Sequence, residues 1–175
     1  AKDYENPDDA NTDGDYIVEV TASDGTNTDT QTITVTLTDE NDNAPVITSD
    51  GGGATAAVNA DENQTAVTTV TATDADGTSP TYSITGGADA ALFSIDTNTG
   101  ELTFNAAPDF ENPVDAGANN VYDVQVTVTD SDSLTDVQDI TVTVTNVNEA
   151  PTITSNGGGA TASVNVTENT TAVTD

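Results

Sequence analysis

The sequence contains almost no positive charge. Its 175 residues include a single Lys or Arg against 31 Asp and Glu, with no His, so the formal net charge at pH 7 is −30. Salt bridges cannot offset repulsion among so many carboxylates, so we expect bound cations to neutralise part of the charge. Nucleic acids need a basic binding surface, and anionic membranes attract basic segments. The charge therefore excludes both as partners.

Cysteine, tryptophan and histidine are absent as well. Without cysteine, the chain has neither a disulfide framework nor thiol chemistry. With no His and a single Lys, the remaining catalytic option is a pair of carboxyl groups, as in glycoside hydrolysis. The carboxylates instead cluster in patterns typical of metal binding, and no separate acid/base pair stands out. We therefore predict that the chain is not an enzyme.

Long hydrophobic runs are also missing. No apolar stretch approaches the length of about 18 residues that a membrane-spanning helix requires, and no secretory leader is recognisable. A high net charge with few aromatic residues is also typical of disordered acidic segments. The regular spacing of Val and Ile described below argues against disorder, so we predict a folded chain.

The chain is internally repetitive. Residues 3–7 (Asp-Tyr-Glu-Asn-Pro) recur at 109–113 (Asp-Phe-Glu-Asn-Pro), and other segments recur at the same spacing. This period of about 106 residues indicates tandem copies of one structural unit. The simplest interpretation is a stretch of a long tandem array, and complementation of partial repeats between chains is the alternative. The predicted units are the C-terminal part of a repeat at 1–45, a complete repeat at 46–150 and the N-terminal part of the next repeat at 151–175.

Within the repeat, apolar and polar residues alternate. Tyr122, Val124, Val126 and Val128 are separated by polar residues, and residues 140–144 follow the same pattern. A period of two predicts strands with one face in a core and a Thr-rich face in water. Turn-forming residues separate about seven such strands in roughly 100 residues, and no segment has helical periodicity. We predict an all-β fold of tandem seven-stranded Greek-key β-sandwich repeats.

An unusually dense group of side-chain oxygens ends one of these strands. The first linker, residues 39–45, reads Asp-Glu-Asn-Asp-Asn-Ala-Pro. Strands end with turn formers, but seldom with so many carboxylates and carboxamides together. A hard cation with roughly six to eight oxygen ligands, Ca²⁺, suits this composition. Low-affinity calcium modules work outside cells, and a domain without disulfides needs another means of stabilisation. We therefore predict an extracellular or cell-surface location.

Several short motifs occur in order along the chain. They are 62–63 (Glu-Asn), 74–77 (Asp-Ala-Asp-Gly), 93–100, 109–111 (Asp-Phe-Glu), 122–130 and the first linker. Each motif alone is a common turn, loop or strand feature. In this order and spacing they resemble a cadherin repeat, in the bacterial cadherin-like form found in large secreted adhesins of the RTX type. The resemblance covers the whole chain and implies an immunoglobulin-like sandwich.

The resemblance also implies calcium ions at the junctions between successive repeats. Ligands carried by two bodies cannot converge while the hinge between them is open, so cation binding selects a straight arrangement. At the first junction, the implied ligands are Asp3 and Glu5 of the leading repeat, Glu40, Asn41, Asp42 and Asn43 of the linker, partly through backbone carbonyls, and Asp74, Asp76 and Asp130 of the following repeat.

The second junction departs from this pattern. Its linker, residues 145–151 (Thr-Asn-Val-Asn-Glu-Ala-Pro), contains fewer acids than its counterpart, the first linker. We predict Glu62, Asp109 and Glu111 as ligands on the near side and Glu149 in place of the linker Asp. Fewer ions and a more flexible joint are expected there.

Together these features predict a calcium-rigidified structural spacer and adhesion repeat of a long secreted bacterial surface protein or extracellular fibre. The predicted partners are neighbouring repeats of the same chain and, through homotypic self-association, other copies of it. The alternative is a carbohydrate-binding module of a secreted polysaccharide-associated protein. Sugar-binding surfaces usually present aromatic rings, and only Tyr4 and Phe110 precede loops where they could do so.

Overall fold

A computed structural model describes residues 2–169 and residue 171. The chain divides into two compact units, Ala1–Thr145 and Asn146–Asp175. Within the described residues, no helix has the length and hydropathy that crossing a membrane requires. The strands are β1 (Asp15–Ser23), β2 (Thr28–Thr36), β3 (Val46–Ile47), β4 (Thr55–Asp61), β5 (Ala66–Thr69), β6 (Ala72–Thr73), β7 (Thr81–Gly86), β8 (Phe93–Ile95), β9 (Glu101–Phe104), β10 (Val121–Thr129) and β11 (Thr135–Thr145), with short 3-10 turns at Ser49–Gly51, Ala90–Leu92 and Ser155–Gly157.

Two sheets form a β-sandwich in the first unit. One sheet has the order β4-β11-β10-β7, in which β4 runs parallel to β11 and the other neighbours are antiparallel. The second sheet has the order β5-β9-β8, and β3 pairs with β6 in a short ladder. The chain passes from the first sheet to the second between β4 and β5 and between β7 and β8, and it returns to the first sheet before β7 and before β10, as in a Greek key. Counting β3 with β4 and β5 with β6 as interrupted strands gives the seven-stranded sandwich, and the predicted fold class is confirmed.

The core consists of the inward-facing members of the alternating pattern. Val124 and Val126 are 1% and 0% exposed. Phe93 stacks on Phe104 with ring centroids 4.6 Å apart, and Tyr122 packs edge-on against Phe104 at 5.2 Å. Full burial of an apolar side chain of this kind contributes about 1.5–3 kcal/mol. The period-two pattern therefore identified the core face of these strands correctly.

The hairpin β1-β2 repeats the secondary structure of β10-β11. β1 begins and ends at the positions that are equivalent, one repeat earlier, to the two ends of β10. Its residues pair with β2 in an antiparallel ladder, as in the later hairpin. The repeat in the sequence thus corresponds to a repeat in structure. The boundaries of the predicted units, 1–45, 46–150 and 151–175, stay predictions.

Acidic segments meet the first linker at one end of the sandwich. The turn of residues 74–77 follows β6, and residues 130–134 connect β10 to β11. The linker leads into β3, where the Ile47 N–H donates to Asp136 Oδ2 at 2.8 Å. This bond fixes the end of the linker to the sandwich, so the linker enters beside the two acidic turns.

The second unit matches the start of the complete repeat only locally. Asn156 (φ 50°, ψ 36°), in the turn of Ser155–Gly157, has nearly the same left-handed backbone as its equivalent in the complete repeat, Asp50 (φ 51°, ψ 34°). No strand forms among the described residues of this unit, 146–169 and 171. The corresponding strand of the complete repeat, β4, is held by its ladder with β11. A local turn therefore needs only its own residues, whereas this strand needs a partner.

Candidate metal centre

Three carboxylates from separate segments meet at the first junction. Glu5 precedes β1, Asp39 begins the first linker, and Asp76 lies in the turn after β6. Each offers one oxygen, and the three oxygens lie within 4.8 Å of one another. Ionised carboxylates at such distances repel one another unless a proton or a cation lies among them. These three residues, the junction triad, are therefore a candidate cation site.

Buried oxygens without donors support a cation at this junction. Glu5 Oε1 and Asn41 Oδ1 are buried and have no hydrogen-bond partner among the described residues. Leaving a buried acceptor unpaired costs about 1–3 kcal/mol. All the candidate ligand atoms are carboxylate or amide oxygens, which suit Ca²⁺ and not the metals that favour nitrogen or sulfur. The residues present therefore fit calcium.

The pKa values of Glu5 and Asp76 are shifted in opposite directions. The pKa of Glu5 is raised: a hydrogen bond from its own backbone amide lowers it, but desolvation and the neighbouring carboxyl groups of Asp39 and Asp76 outweigh that bond. The pKa of Asp76 is lowered, chiefly because the Asn43 side chain donates a hydrogen bond to it. A positive charge among these groups would favour their ionised forms.

Two asparagines join the first linker to the following repeat. Asn43 donates from its backbone N–H to Asp76 Oδ2 and from Nδ2 to Asp76 Oδ1, both at 2.8 Å. Asn41 Nδ2 donates to Asp130 Oδ2 and to Ser131 Oγ, both at 3.1 Å. The side-chain amides thus face acceptors of the following repeat. Metal binding through the oxygens of the two asparagines stays a prediction.

The remaining predicted ligands of the leading repeat and the linker border a polar cleft. Asp3, Glu40 and Asp42 line this cleft of about 470 Å³ together with Glu5. Asp3 Oδ1 accepts a local hydrogen bond from the Asn6 N–H at 3.0 Å. The cleft thus places these three acidic residues beside Glu5 of the triad, and their assignment as ligands stays a prediction.

Asp74 and Asp130 are positioned by turns of the following repeat. Asp74 accepts hydrogen bonds from the Asp76 N–H at 2.9 Å and the Thr78 hydroxyl at 2.6 Å. Asp130 Oδ1 accepts two backbone N–H groups of its own turn, at 3.0 and 2.8 Å. An ionised carboxylate offers about four lone-pair sites, so both keep capacity for a further ligand. Their predicted role in metal binding stays a prediction.

Asp39 is the residue of the triad that the predicted ligand set lacked. It stands beside Glu40, a predicted ligand in the same acidic stretch. The density of acidic residues in the linker indicates a metal site, but it does not show which of two adjacent carboxylates takes part in it. Which of them faces Asp76 depends on the backbone direction at the end of β2.

The predicted ligands near the second junction include a close pair within the first unit. Glu62 is 2% exposed, and its Oε2 accepts the Phe110 N–H at 2.9 Å. Carboxylate oxygens of Glu62 and Glu111 lie within 4.8 Å of each other. Asp109 Oδ1 accepts the Glu111 N–H at 3.0 Å. Glu149 belongs to the second unit, and a metal site that includes it stays a prediction.

Comparison with known families agrees with this fold and this donor set. The model of the cadherin domain matches residues 55–145, more than half of the chain. The chain belongs to the cadherin family. Cadherin domains are structural adhesion modules that bind calcium, so membership confirms the prediction that this cadherin chain is not an enzyme. A comparison with curated proteins found no match.

Solved cadherin structures share the fold. Extracellular cadherin domains 1–4 of protocadherin gamma B7 are 28% identical, over 79% of this chain and 34% of that one, with a TM-score of 0.63. Mouse clustered PcdhgC3 EC1–3 is 24% identical over 83% and 46% of the two chains, with a TM-score of 0.62. Mouse cadherin-23 EC22–24 is 22% identical over 79% and 44%, with a TM-score of 0.56. The chain thus spans less than half of each of these structures.

Proposed function

We propose that this cadherin chain is a calcium-rigidified spacer and adhesion repeat of a long secreted bacterial surface protein or extracellular fibre. The observation that carries the proposal is the junction triad, in which Glu5 comes from the leading repeat, Asp39 from the linker and Asp76 from the following repeat. A cation held by all three would connect the two repeats across their linker.

Mechanically, the proposal depends on ligands supplied by both sides of the joint. Glu5, Asp39 and Asp76 would hold the ion, and Asp3 and Asp42 on the adjoining cleft would add oxygens. A bound Ca²⁺ supplies positive charge that offsets carboxylate repulsion. The ion binds only the arrangement in which the ligands converge, so it shifts the joint toward that arrangement. At a hundred times the dissociation constant, one site stabilises the bound state by about 2.7 kcal/mol.

The extracellular setting is supported by chemistry and by the relatives. Low-affinity calcium sites need the high calcium concentration found outside cells. Two related solved structures contain extracellular cadherin domains of protocadherin gamma B7, and one of them is a cis-dimer. We extend both features to this chain: it lies on the cell surface or in a secreted fibre, and its copies associate with one another.

Carbohydrate binding is the second candidate, and one ring favours it. Tyr4 is 48% exposed and lines the polar cleft at the first junction. Phe110, the other ring predicted to be available, packs partly buried against the core. One exposed ring with acidic neighbours offers a smaller platform than sugar-binding modules use. Binding of the calcium-loaded chain on a glycan array would favour this candidate.

Calcium titration of the chain tests the leading proposal. Asp76→Asn keeps the shape of the side chain but removes one charge of the triad, so we expect at least about a tenfold loss of calcium affinity at the first junction. Glu101→Gln removes one negative charge from the exposed first residue of β9 and serves as the matched control. Isothermal calorimetry measures the affinities, and thermal melts with and without chelator measure the stabilisation.

Small-angle scattering tests the mechanical part. The wild-type chain should have a larger maximum dimension in Ca²⁺ than in chelator, and Asp76→Asn should reduce this difference. Equal calcium affinity for Asp76→Asn and Glu101→Gln, or an unchanged dimension on chelation, would contradict the proposal.

A further inference from the structure

Asn43 of the first linker donates two hydrogen bonds to the Asp76 carboxylate. Asn43 donates to both of its oxygens, once from the backbone and once from the side chain, at 2.8 Å each. Hydrogen bonds to an ionised acceptor are shorter and stronger than those between neutral groups. Two such bonds from one residue fix the plane of the carboxylate as well as its position.

These hydrogen bonds leave the carboxylate free to bind a cation. Each carboxylate oxygen has two lone pairs, and each of these bonds uses one of them. One Asp76 oxygen lies within 4.8 Å of oxygens of Glu5 and Asp39, where it can face a cation. Asn43 therefore orients Asp76 without occupying its capacity as a ligand.

The contacts of the linker differ on its two sides. Toward the following repeat, Asn43 binds Asp76 and Asn41 binds Asp130 through amide donors. Toward the leading repeat, Asp39 meets Glu5, and two carboxylates repel each other when both are ionised. Without a cation, the hydrogen bonds hold the linker on the following repeat, while the carboxylates of Asp39 and Asp76 both repel Glu5 of the leading repeat.

We propose that Asn43 is a positioning residue that orients Asp76 toward Glu5 and Asp39 and holds the linker on the following repeat before any cation binds. In the cation-free chain, the leading repeat then moves relative to the linker, while the linker stays on the following repeat. A bound cation restricts only this movement of the leading repeat. We call the two Asn43–Asp76 hydrogen bonds the tether. The tether is a property of the cation-free chain, whereas its effect on calcium affinity rests on the proposed function.

The second linker has no side-chain amide at the position equivalent to Asn43. Asn43 immediately precedes Ala44-Pro45, whereas Glu149 immediately precedes Ala150-Pro151. A Glu carboxylate has no N–H to donate, so it cannot replace the Asn43 side-chain bond. The proposal therefore supplies a reason for the more flexible second joint that the sequence predicts.

Hydrogen exchange in chelator tests the tether directly. Amide exchange of residues 39–45 is measured by NMR for the wild-type chain, Asn43→Asp and Asn43→Ala, with exposed Asn98→Ala as the matched control. Asn43→Asp keeps the size but replaces the donor by a charge that repels Asp76, so linker exchange should rise about tenfold. Asn43→Ala keeps the backbone bond and should show a smaller rise. Asn43→Gln, which keeps the amide on a longer arm, should recover part of the protection.

The amides of β10 report whether the repeat remains folded. We expect the exchange of the β10 amides to be unchanged in all variants. A rise in exchange across both β10 and the linker would mean that the whole repeat is destabilised, and it would contradict a local role of Asn43. Linker exchange in Asn43→Asp equal to that of Asn98→Ala would overturn it as well. With Ca²⁺ added, Asn43→Ala should bind several-fold more weakly with the same number of sites. If the wild-type chain bound no calcium, the proposed function would fail while the exchange data would still decide on the tether.

Discussion

The two hairpins β1-β2 and β10-β11 have the same alternating pattern but different surroundings. Val18 and Val20 of the first are 50% and 48% exposed, whereas their counterparts in the complete repeat, Val124 and Val126, are 1% and 0% exposed. Both hairpins are antiparallel along their whole length. Alternation therefore decides which face of a hairpin is apolar, but it does not decide whether that face is buried.

The opposing sheet accounts for the difference. The β5-β9-β8 sheet places Leu102 and Phe104 in the core cluster with the valines of β10. In the described part of the chain, β1 and β2 form a sheet of only two strands, and their valines remain about half exposed. Because an isolated hairpin is marginally stable at best in water, its stability depends on what covers it.

The largest expected difference between the two hairpins is in the free energy of unfolding when a charge is placed on the apolar face of each. Val126→Asp puts an unpaired carboxylate into the core and should lower the free energy of unfolding by at least about 4 kcal/mol. Val20→Asp makes the same change on the exposed face and should alter it by less than about 0.5 kcal/mol. Urea denaturation followed by circular dichroism measures both. Equal losses would mean that the first hairpin is covered in solution.

Glycine-to-alanine substitutions compare the space around the backbone in the complete repeat and in the first hairpin. Gly100 has φ +71°, and a Cβ there would lie 2.1 Å from the Val70 carbonyl oxygen, so Gly100→Ala should cost about 3 kcal/mol or more. Gly25, in the β1-β2 turn, has φ +92° but open space around it, so Gly25→Ala should cost only about 1 kcal/mol. Thermal melts of the two variants compare them, and a larger cost at Gly25 would contradict the packing argument.

The smallest effect concerns two equivalent loop aspartates. Buried Asp115 accepts backbone N–H groups of Gly117, Asn119 and Asn120 at 3.0–3.2 Å. Asp9, its equivalent in the leading repeat, accepts similar bonds in a more open loop. Asp115→Asn should lower the free energy of unfolding at pH 7 by about 2 kcal/mol, since bonds to a buried charge are lost. Asp9→Asn should have a smaller effect.

The pH dependence follows from the sign of the shift. Desolvation, the largest influence, raises the pKa of Asp115, but the backbone hydrogen bonds outweigh it and the pKa is lowered overall. Stability from this group is therefore present above the unfolded pKa of about 3.9 and is lost as the pH falls through the folded value. Acid titration of stability should be flatter for Asp115→Asn than for the wild type. An identical acid profile would contradict the role of the charge.

Much of the candidate site could be anticipated from local patterns. The acidic linker and the Asp74-Ala75-Asp76 turn are recognisable because oxygen density and turn formation are properties of neighbouring residues. The approach of Asp39 to Glu5 and Asp76 was not recognisable, because adjacent side chains of an extended segment point in different directions. Likewise, the hydrogen bond from the Asn43 side chain to Asp76 joins residues 33 positions apart. Contacts of that kind depend on how the linker meets the following repeat.

The amino-acid order alone determined the period of the repeat, the apolar face of each strand and the oxygen-rich composition of the linkers. Each of these follows from residue spacing or side-chain chemistry, which is written in the chain itself. Only the tertiary structure decided which apolar faces are buried, which carboxylates converge and which amides hold them. Those outcomes require segments distant in sequence to meet, and the packing of the two sheets determines where they do.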